Sequence, residues 1–452
     1  MKHQVSLIQG DLKRAIVIFA IPLFFSQLFQ TLYNTMDTVI IGHVLGDFSL
    51  AAVGAVASLF ELIVGFCTGF GQGLGVIAAQ KFGTGNMKGF RRVAGLSIEL
   101  SLVVSFVLAI VAGLNMETIL NFMHTSSDIF DLSYSYIIVI CWGLPITIFY
   151  NLCAGMLRAA GDSITPLVIL LISSVTNIVL DLLFITTFNM GVAGTAWATL
   201  LAQLLSLVIC VIWMLLKKRE LLPSLSEMKW DSTLARHLTE MGLSMAFMSS
   251  IVSAGTLILQ IGINQLGTLI VTGHTAARKL VGMLNLPVIA LMQALSSFVA
   301  QNIGAQQYER AEKGIAFVNR FGLYYSILLS VIVMFVARYL IAMISGSTTD
   351  VVLDTGALYL RTNIPFFPVL AVLLDLRISL QSMSLKIVPI ISSVIELVGK
   401  IIFTLFIVPT AGYLGICFTE PVVWIAMCLF LGYFYLRNRL FKENKIATHI
   451  FR

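Results

Sequence analysis

Long apolar runs alternate with short polar segments along the whole chain. Roughly 20 apolar residues in a helix suffice to cross about 30 Å of hydrocarbon. Six runs long enough for a crossing precede the charged segment 217–237, and six follow it. They lie near residues 15–42, 50–80, 93–114, 130–157, 164–188 and 191–216, and then near 238–265, 268–303, 314–337, 352–380, 386–409 and 412–436. The pattern predicts an all-α integral membrane protein with twelve transmembrane helices.

The two groups of runs are repeats of one another. The segments 79–83 (AQKFG) and 300–304 (AQNIG) are near copies that lie 221 positions apart (301 − 80). The same offset relates Gly191 to Gly412, and Gly194 to Gly415, while Pro166 precedes Pro389 by 223. Repeats of this length are too long for solenoid units and are typical of secondary transporters.

The repeat defines the predicted domains. Six crossings return the chain to its starting side, so both halves share one orientation and are related by an axis along the membrane normal. We therefore predict two pseudo-symmetric six-helix lobes. The divisions are an N-lobe at 1–216, a polar linker at 217–237, a C-lobe at 238–436 and a tail at 437–452.

Composition and charge support the membrane assignment. With 58% hydrophobic residues, 11% charged residues and a mean hydropathy of +0.96, the chain is too apolar for a soluble protein. The net charge of +6 does not indicate a nucleic-acid partner, because 22 of the 28 basic residues lie in the termini, the linker and alternate loops. The positive-inside rule then places both termini and the linker in the cytoplasm of a multi-pass plasma-membrane protein. The remaining six basic residues lie in or near predicted spans and need another explanation: Arg278, Lys279, Arg338, Arg361, Arg377 and Lys400.

Cysteine and histidine spacing gives no sign of a metal site. The six cysteines lie in apolar runs without a metal-ligand or secreted-domain pattern, and the six histidines form no HExxH motif or paired cluster. We expect no metal, no disulfide and no cofactor. A membrane-embedded enzyme, which would need a convergent nucleophile and base or metal ligands, is the less favoured class.

Acidic residues within the spans of the first half are the first candidates for chemistry, since a charge at the bilayer centre costs about 2.5 to 3.5 kcal/mol. Asp37 lies one helical turn after Tyr33, and Asp181 lies one turn after Asn177. If the first and fifth helices pack together, the two carboxyls meet in a low dielectric and could take up and release a proton. The alternative is that each acid is a structural polar contact.

Polar and methionine residues of the second half suggest two further features. Glu396 and Lys400 are four residues apart, which predicts an ion pair. An adaptable apolar cleft for unlike ligands could be lined by methionines and phenylalanines, although each methionine alone is as compatible with core packing or lipid contact. The candidate cleft residues are Met245, Met248, Lys279, Met283, Met292 and Asp375.

Four motifs together identify a family resemblance. They are 78–83 (AAQKFG), 157–166 (LRAAGDSITP), the pair Asn177 and Asp181, and 191–199 (GVAGTAWAT), with echoes in the second half. In this combination and order they resemble the multidrug and toxic compound extrusion (MATE) family over nearly the whole chain. The resemblance implies twelve helices in two six-helix lobes around a central cleft, and cation-coupled export of bulky cationic or amphipathic compounds.

The resemblance also implies roles for individual residues. Relatives carry proton coupling in an N-lobe polar network, whose members match Asp37, Tyr33, Asn177, Asp181 and Thr199. Some relatives bind sodium at C-lobe acids. In this chain the seventh span has only Glu240 at its edge, and Asp375 does not align with the family's tenth-helix acid, so a C-lobe sodium site lacks support.

The favoured interpretation is a cation-coupled antiporter, driven by H⁺ in preference to Na⁺, that exports varied organic cations. We expect a monomer in the lipid bilayer with small-molecule partners and no nucleic acid. The alternative is a lipid or lipid-linked saccharide flippase of the same superfamily. That alternative favours a cationic cavity, for which Arg278, Lys279 and Lys400 are the available residues.

Overall fold

The computed structural model describes residues 5–123, 125–224 and 227–440, with side chains up to residue 437. This part of the chain is helical and contains no strand. Eleven of its helices are long and apolar enough to cross a membrane, and one bent helix pair brings the number to as many as twelve. The predicted all-α membrane fold is confirmed.

The spans, numbered in chain order, agree with the predicted apolar runs. The first six are Leu12–Leu45, Asp47–Gly83, Met87–Leu114, the bent pair Ser127–Trp142 and Leu144–Ala159, Ile164–Thr187, and Gly191–Lys217. The seventh to twelfth are Ser232–Asn264, Thr268–Gly304, Tyr308–Ser345, Asp350–Ser382, Ile387–Ala411 and Tyr413–Arg437. A short helix, Met116–Phe122, lies between the third and fourth spans.

The fourth and tenth spans are broken at related positions. The fourth span bends by 48° at Gly143, and Pro145 lies in the first turn of the helix that follows. The tenth span is interrupted by the 3₁₀ turn Ile364–Phe366, which contains Pro365. Proline at the start of a helix lacks one of the amide hydrogens that have no partner within the helix, so each break leaves fewer unpaired backbone groups.

Backbone conformation repeats with the same offset as the sequence. Gly46 and Gly267 have φ of 81° and 102°, while Gly191 and Gly412 have φ of 59° and 58°. These values lie in the left-handed region that glycine adopts without steric strain. Because both pairs are 221 residues apart, the duplication extends to the turns that begin the second, eighth, sixth and twelfth spans.

Two compact units divide the chain. The first contains Met1–Ser250 together with Ala300–Arg310, and the second contains Ile251–Val299 together with Ala311–Arg452. The first unit therefore includes the beginning of the seventh span and the segment that joins the eighth span to the ninth. The lobe boundaries at 216 and 238 stay a prediction about domains.

The duplicated AQKFG and AQNIG segments pack against each other within the first unit. A Cβ atom added to Gly83 would lie 1.9 Å from the carbonyl oxygen of Gln301, and one added to Gly304 would lie 1.9 Å from that of Gln80. Real Cβ atoms do not approach oxygen this closely. Glycine is thus required at both positions by backbone contact, which explains why the motif occurs twice.

A second cross-repeat contact holds the segment that precedes the first span. Arg310, at the beginning of the ninth span, donates from Nη1 to the Gly10 carbonyl at 2.8 Å and from Nη2 to the Gln9 carbonyl at 3.1 Å. Asn302 Nδ2 donates to the carbonyl of Leu7 at 3.1 Å, and the Leu7 side chain is buried. The guanidinium and amide together fix the entry of the chain into the bundle.

The linker before the seventh span is held in a comparable way by the third span. Arg91 donates from Nε and Nη2 to both oxygens of Glu227, at 2.7 to 2.9 Å. This bidentate contact, with bonds from the Ser224 backbone and hydroxyl, lowers the pKa of the Glu227 carboxyl to about 2. In each half, therefore, the beginning of the third helix holds the segment that leads into the other half's first helix.

The low pKa of Glu227 predicts when this contact is lost. A carboxyl whose folded pKa lies below its unfolded value of about 4.3 stabilises the fold above that value, and the contribution disappears as pH falls towards 2. We expect hydrogen exchange at Leu222, corrected for intrinsic rates, to be constant from pH 7 to 5 and to accelerate below pH 4. Glu227→Gln should accelerate it between pH 5 and 7, where the wild-type carboxylate is ionised, whereas Glu240→Gln, which removes the exposed partner of Arg236, should not. Equal exchange in both variants would contradict the assignment.

Candidate functional site

The two predicted acids of the first half lie side by side within the first unit. Asp37, on the first span, is half-buried, and Asp181, on the fifth span, is fully buried. Their carboxyls are close enough to share a hydrogen bond. Two carboxylates can only accept, so a hydrogen bond between them forms only when one of them carries a proton. Neither oxygen of Asp181 receives a hydrogen bond from a donor group in the described part of the chain.

The remaining predicted residues surround this pair. With its amide assigned from the hydrogen-bond network, Asn177 donates to Asp37 Oδ1 at 2.9 Å and accepts from the Thr199 backbone N–H at 3.3 Å. The Tyr33 hydroxyl is within hydrogen-bonding reach of the Thr199 side chain. Asn177 and Thr199 are both buried. The structure thus brings together all five residues of the predicted network.

The helices that carry the two acids have distinctive local features. Asp162, which precedes the fifth span, holds its first turn, because its oxygens accept from the Thr165 backbone at 3.0 Å and the Thr165 hydroxyl at 2.8 Å. Each acid is followed within one turn by a π-helical segment, Ile41–Leu45 after Asp37 and Leu183–Thr187 after Asp181. Such segments loosen the helical hydrogen-bond ladder and occur often at functional sites.

Tyr136 is a member of the site that sequence reasoning missed. It lies on the fourth span, and its phenol is close enough to interact electrostatically with both Asp37 and Asp181. The sequence feature that could have indicated Tyr136 is the polar pair Tyr134 and Tyr136 within an apolar run. Spacing along one helix could not show that this face turns towards the acids on two other helices.

The second unit contains a predicted ion pair and an additional partner. Lys400 Nζ lies 2.9 Å from Glu396 Oε1, which confirms the predicted contact. Arg377 Nη2 lies 3.4 Å from the other oxygen of Glu396. All three side chains are buried. The acid at this position therefore contacts two cations, and the buried group of three carries a net positive charge.

A second ion pair in this unit, between the buried Glu420 and the half-buried Arg278, was missed. Glu420 accepts from Arg278 Nη1 at 2.6 Å and from the Tyr359 hydroxyl at 2.7 Å. His274 Nδ1 lies 3.1 Å from the Tyr413 hydroxyl, and its ring packs edge-on against Tyr359. The repeat could have pointed to Glu420, because it lies 221 residues after Thr199, a member of the predicted network in the first half.

The candidate cleft residues do not form one group within either unit. Met245 and Met248 belong to the first unit, and the other four belong to the second. Met245 and Met292 are buried, as core packing requires, and the Met245 carbonyl lies against Gly69. Lys279 and Met283 are exposed, while Asp375 is buried beside the Asn319 side chain. Among the described residues no three His, Cys, Asp or Glu side chains are placed to hold a metal.

Comparison with protein families gives a match in both halves of the chain. The family model MatE matches residues 22–183 and 244–406. The probable multidrug resistance protein YoeA of Bacillus subtilis is 25% identical over 309 residues, which cover 67% of each protein. A FAD transporter of Shewanella oneidensis is 22% identical over 99% of both proteins.

Solved structures share the fold. The outward-facing structure of a multidrug resistance MATE family transporter of the MOP superfamily has a TM-score of 0.88 at 23% identity, covering 98% of this chain and 99% of that one. A MOP superfamily transporter from Pyrococcus furiosus, described as having a binding pocket of reverse polarity, has a TM-score of 0.87 at 23% identity, with the same coverage. These similarities extend over nearly the whole chain.

Proposed function

The chain belongs to the MatE family, and from this we propose that it is a proton-coupled antiporter that exports organic cations and amphipathic compounds. The family consists of membrane transporters, so the chain is not an enzyme. The observation that carries the proposal is the Asp37 and Asp181 pair. No lysine or arginine of the described residues forms an ion pair with either acid. The negative charge of the site therefore remains available to an incoming cation.

The arrangement of the pair supports an exchange of proton for substrate. Asp37 is the more exposed acid, and so it is the one that an ion from solution reaches first. A proton taken up there can be shared with Asp181, and the Asn177 amide fixes the orientation of the Asp37 carboxyl. A protonated pair attracts an organic cation less than an ionised pair, because the Coulomb attraction is lost. Proton entry would thus favour release of the substrate.

The proposal includes location and orientation. The basic residues of the termini, the linker and alternate loops favour a plasma-membrane protein with both termini in the cytoplasm. With this orientation, the loop near residues 346–349 faces the exterior. The contacts of Arg310 with the segment before the first span, and of Arg91 with Glu227, lie on the cytoplasmic side.

Separately imposed ion gradients test the coupling ion. Purified protein is reconstituted in vesicles loaded with a fluorescent organic cation, and efflux is measured under a proton gradient, a sodium gradient or neither. We expect efflux under the proton gradient at a rate at least about tenfold above the rate without a gradient, equivalent to about 1.4 kcal/mol in the barrier. Efflux that responds only to sodium would contradict proton coupling, and no response to either gradient would contradict antiport.

An organic anion is the second candidate substrate. It is favoured by the Shewanella oneidensis relative named as a FAD transporter, which matches this chain over nearly its full length, and by the exposed Lys279. A lipid-linked saccharide would require the same cationic surface. A matched series of aromatic compounds that differ only in charge distinguishes the candidates. Tightest binding of the cationic members supports drug export, and tightest binding of the anionic members supports the second candidate.

A further inference from the structure

Arg338 and Arg361 of the second unit lie on the exposed surface where the ninth and tenth spans meet, and with Asp350 and Asp354 they form a polar patch, the groove. Arg338 donates from Nη1 to Asp354 at 2.6 Å and also contacts Asp350. Arg361 donates from Nε to the Met334 carbonyl at 3.2 Å, and its side chain is exposed. The two Nη groups of Arg361 have no acceptor among the described residues. Neither arginine takes part in the site proposed for coupling.

The surface beside this groove has the character of a lipid-facing helix. Exposed side chains recur along one face of the ninth span at intervals of three or four residues, the period of a helix. They are Tyr324, Leu328, Val331, Phe335 and Tyr339, each between 55% and 78% exposed. Tyr339 lies at the end of this face nearest to the tenth span's beginning, and tyrosine is typical of the membrane interface.

The position of Arg361 relative to this face places a cation below the interface. Its bond partner, Met334, lies five residues before Tyr339, which corresponds to about 7 Å along the helix axis. An arginine at this depth extends its guanidinium towards the headgroup region instead of remaining among acyl chains. A phosphate is the acceptor that the lipid provides there, and the planar guanidinium can bind it through two nitrogens.

The two acids of the groove lie nearer to the beginning of the tenth span than Arg361 does. Asp350 and Asp354 are 80% and 62% exposed, and Asp354 precedes Arg361 by seven residues, or about 10 Å along the tenth span. With Arg338 the groove carries two positive and two negative charges. Its net charge is therefore zero, and its free cation lies deeper than its carboxylates. This polarity matches a headgroup with a phosphate near the glycerol and an amine at the outer end.

We propose that this groove binds the headgroup of an ethanolamine phospholipid, with the phosphate on Arg361 and the ammonium on Asp350 and Asp354. A choline headgroup has no N–H donor for the carboxylates, and a glycerol headgroup offers them hydroxyls but no ammonium. The groove should therefore select the primary amine. The proposal is independent of the coupling ion and of the exported substrate.

Native mass spectrometry of the full-length protein with defined phospholipids tests the proposal. We expect retention of phosphatidylethanolamine at least about fivefold above that of phosphatidylcholine or phosphatidylglycerol. Arg361→Gln should remove this excess. Arg320→Gln, which removes an exposed arginine near the other end of the ninth span, should preserve it. Equal lipid retention by the two variants, or no preference in the wild type, would overturn the proposal.

Removing both negative charges should reverse the lipid preference, a result that misfolding cannot imitate. The double variant Asp350→Asn, Asp354→Asn leaves Arg338 and Arg361 without carboxylates, so the groove gains a net charge of two. We expect this variant to prefer phosphatidylglycerol over phosphatidylethanolamine by about the same factor. If it still prefers phosphatidylethanolamine, the ammonium does not bind at these acids and the proposal is wrong.

Discussion

Replacing Asp37 by asparagine is expected to abolish proton-driven efflux while the protein remains folded and inserted. Asparagine keeps the size of the side chain and can still bond to Asn177, but it carries no charge and cannot release a proton. We expect the initial efflux rate under a proton gradient to fall at least about tenfold, a change of about 1.4 kcal/mol in the barrier. The measurement is efflux of a fluorescent cation from vesicles.

Two variants serve as comparisons for Asp37→Asn. Asp181→Asn should impair efflux less completely, because Asp37 is the more exposed acid and retains one carboxyl in the site. Asp47→Asn removes an exposed acid at the beginning of the second span and should leave efflux at the wild-type rate. Wild-type efflux in both Asp37→Asn and Asp181→Asn would show that the pair does not couple the transporter to protons.

The largest expected loss of stability comes from adding one carbon atom to Gly83. The Cβ of alanine would lie 1.9 Å from the Gln301 carbonyl oxygen, and the neighbouring atoms are also backbone, so no flexible side chain can move away. Overpacking in well-packed sites costs about 1 to 3 kcal/mol, and here both elements would have to separate. We expect Gly83→Ala to cost at least about 3 kcal/mol, seen as a lower Tm and poor recovery from the membrane.

Gly75 offers a matched control on the same span. A Cβ there would meet Gly155 at 3.8 Å, an ordinary van der Waals distance. Gly75→Ala should therefore be neutral or stabilising by up to about 1 kcal/mol, since alanine is the better helix former. Equal Tm values for the two variants would mean that the contact between the duplicated segments does not hold the first unit together.

The two halves of the repeat have diverged in charge at related positions. With offsets of 221 to 223, Asn177, Asp181 and Thr199 correspond to Lys400, Thr404 and Glu420. In the second unit the acids Glu396 and Glu420 are each bound to a cation, whereas Asp37 and Asp181 have no basic partner among the described residues. The Asp37 and Asp181 pair therefore lacks a resident counter-charge, which supports the proposal that a cation binds there.

The sequence by itself determined the membrane fold and much of the candidate site. Hydrocarbon admits only helices of sufficient apolar length, because every backbone polar group must be paired within the segment. The lengths of the apolar runs therefore predicted the positions of the twelve spans. The 221-residue offset revealed the duplication, and helical spacing correctly predicted the ion pair of Glu396 and Lys400. The Asp37 network followed from the rarity of buried acids and from the family motifs.

Only the tertiary structure decided which helix faces meet. Tyr136 beside Asp37, and Arg278 beside Glu420, are contacts between residues far apart in the chain. Such contacts also join Arg310 to the segment before the first span and Arg91 to Glu227. The proposed lipid groove at Arg361 depends on them as well. Spacing within one helix fixes which side chains share a face, but the direction of that face is set by packing against neighbouring helices. The sequence pattern therefore predicted pairs within a helix, and the fold alone assigned their partners on other helices.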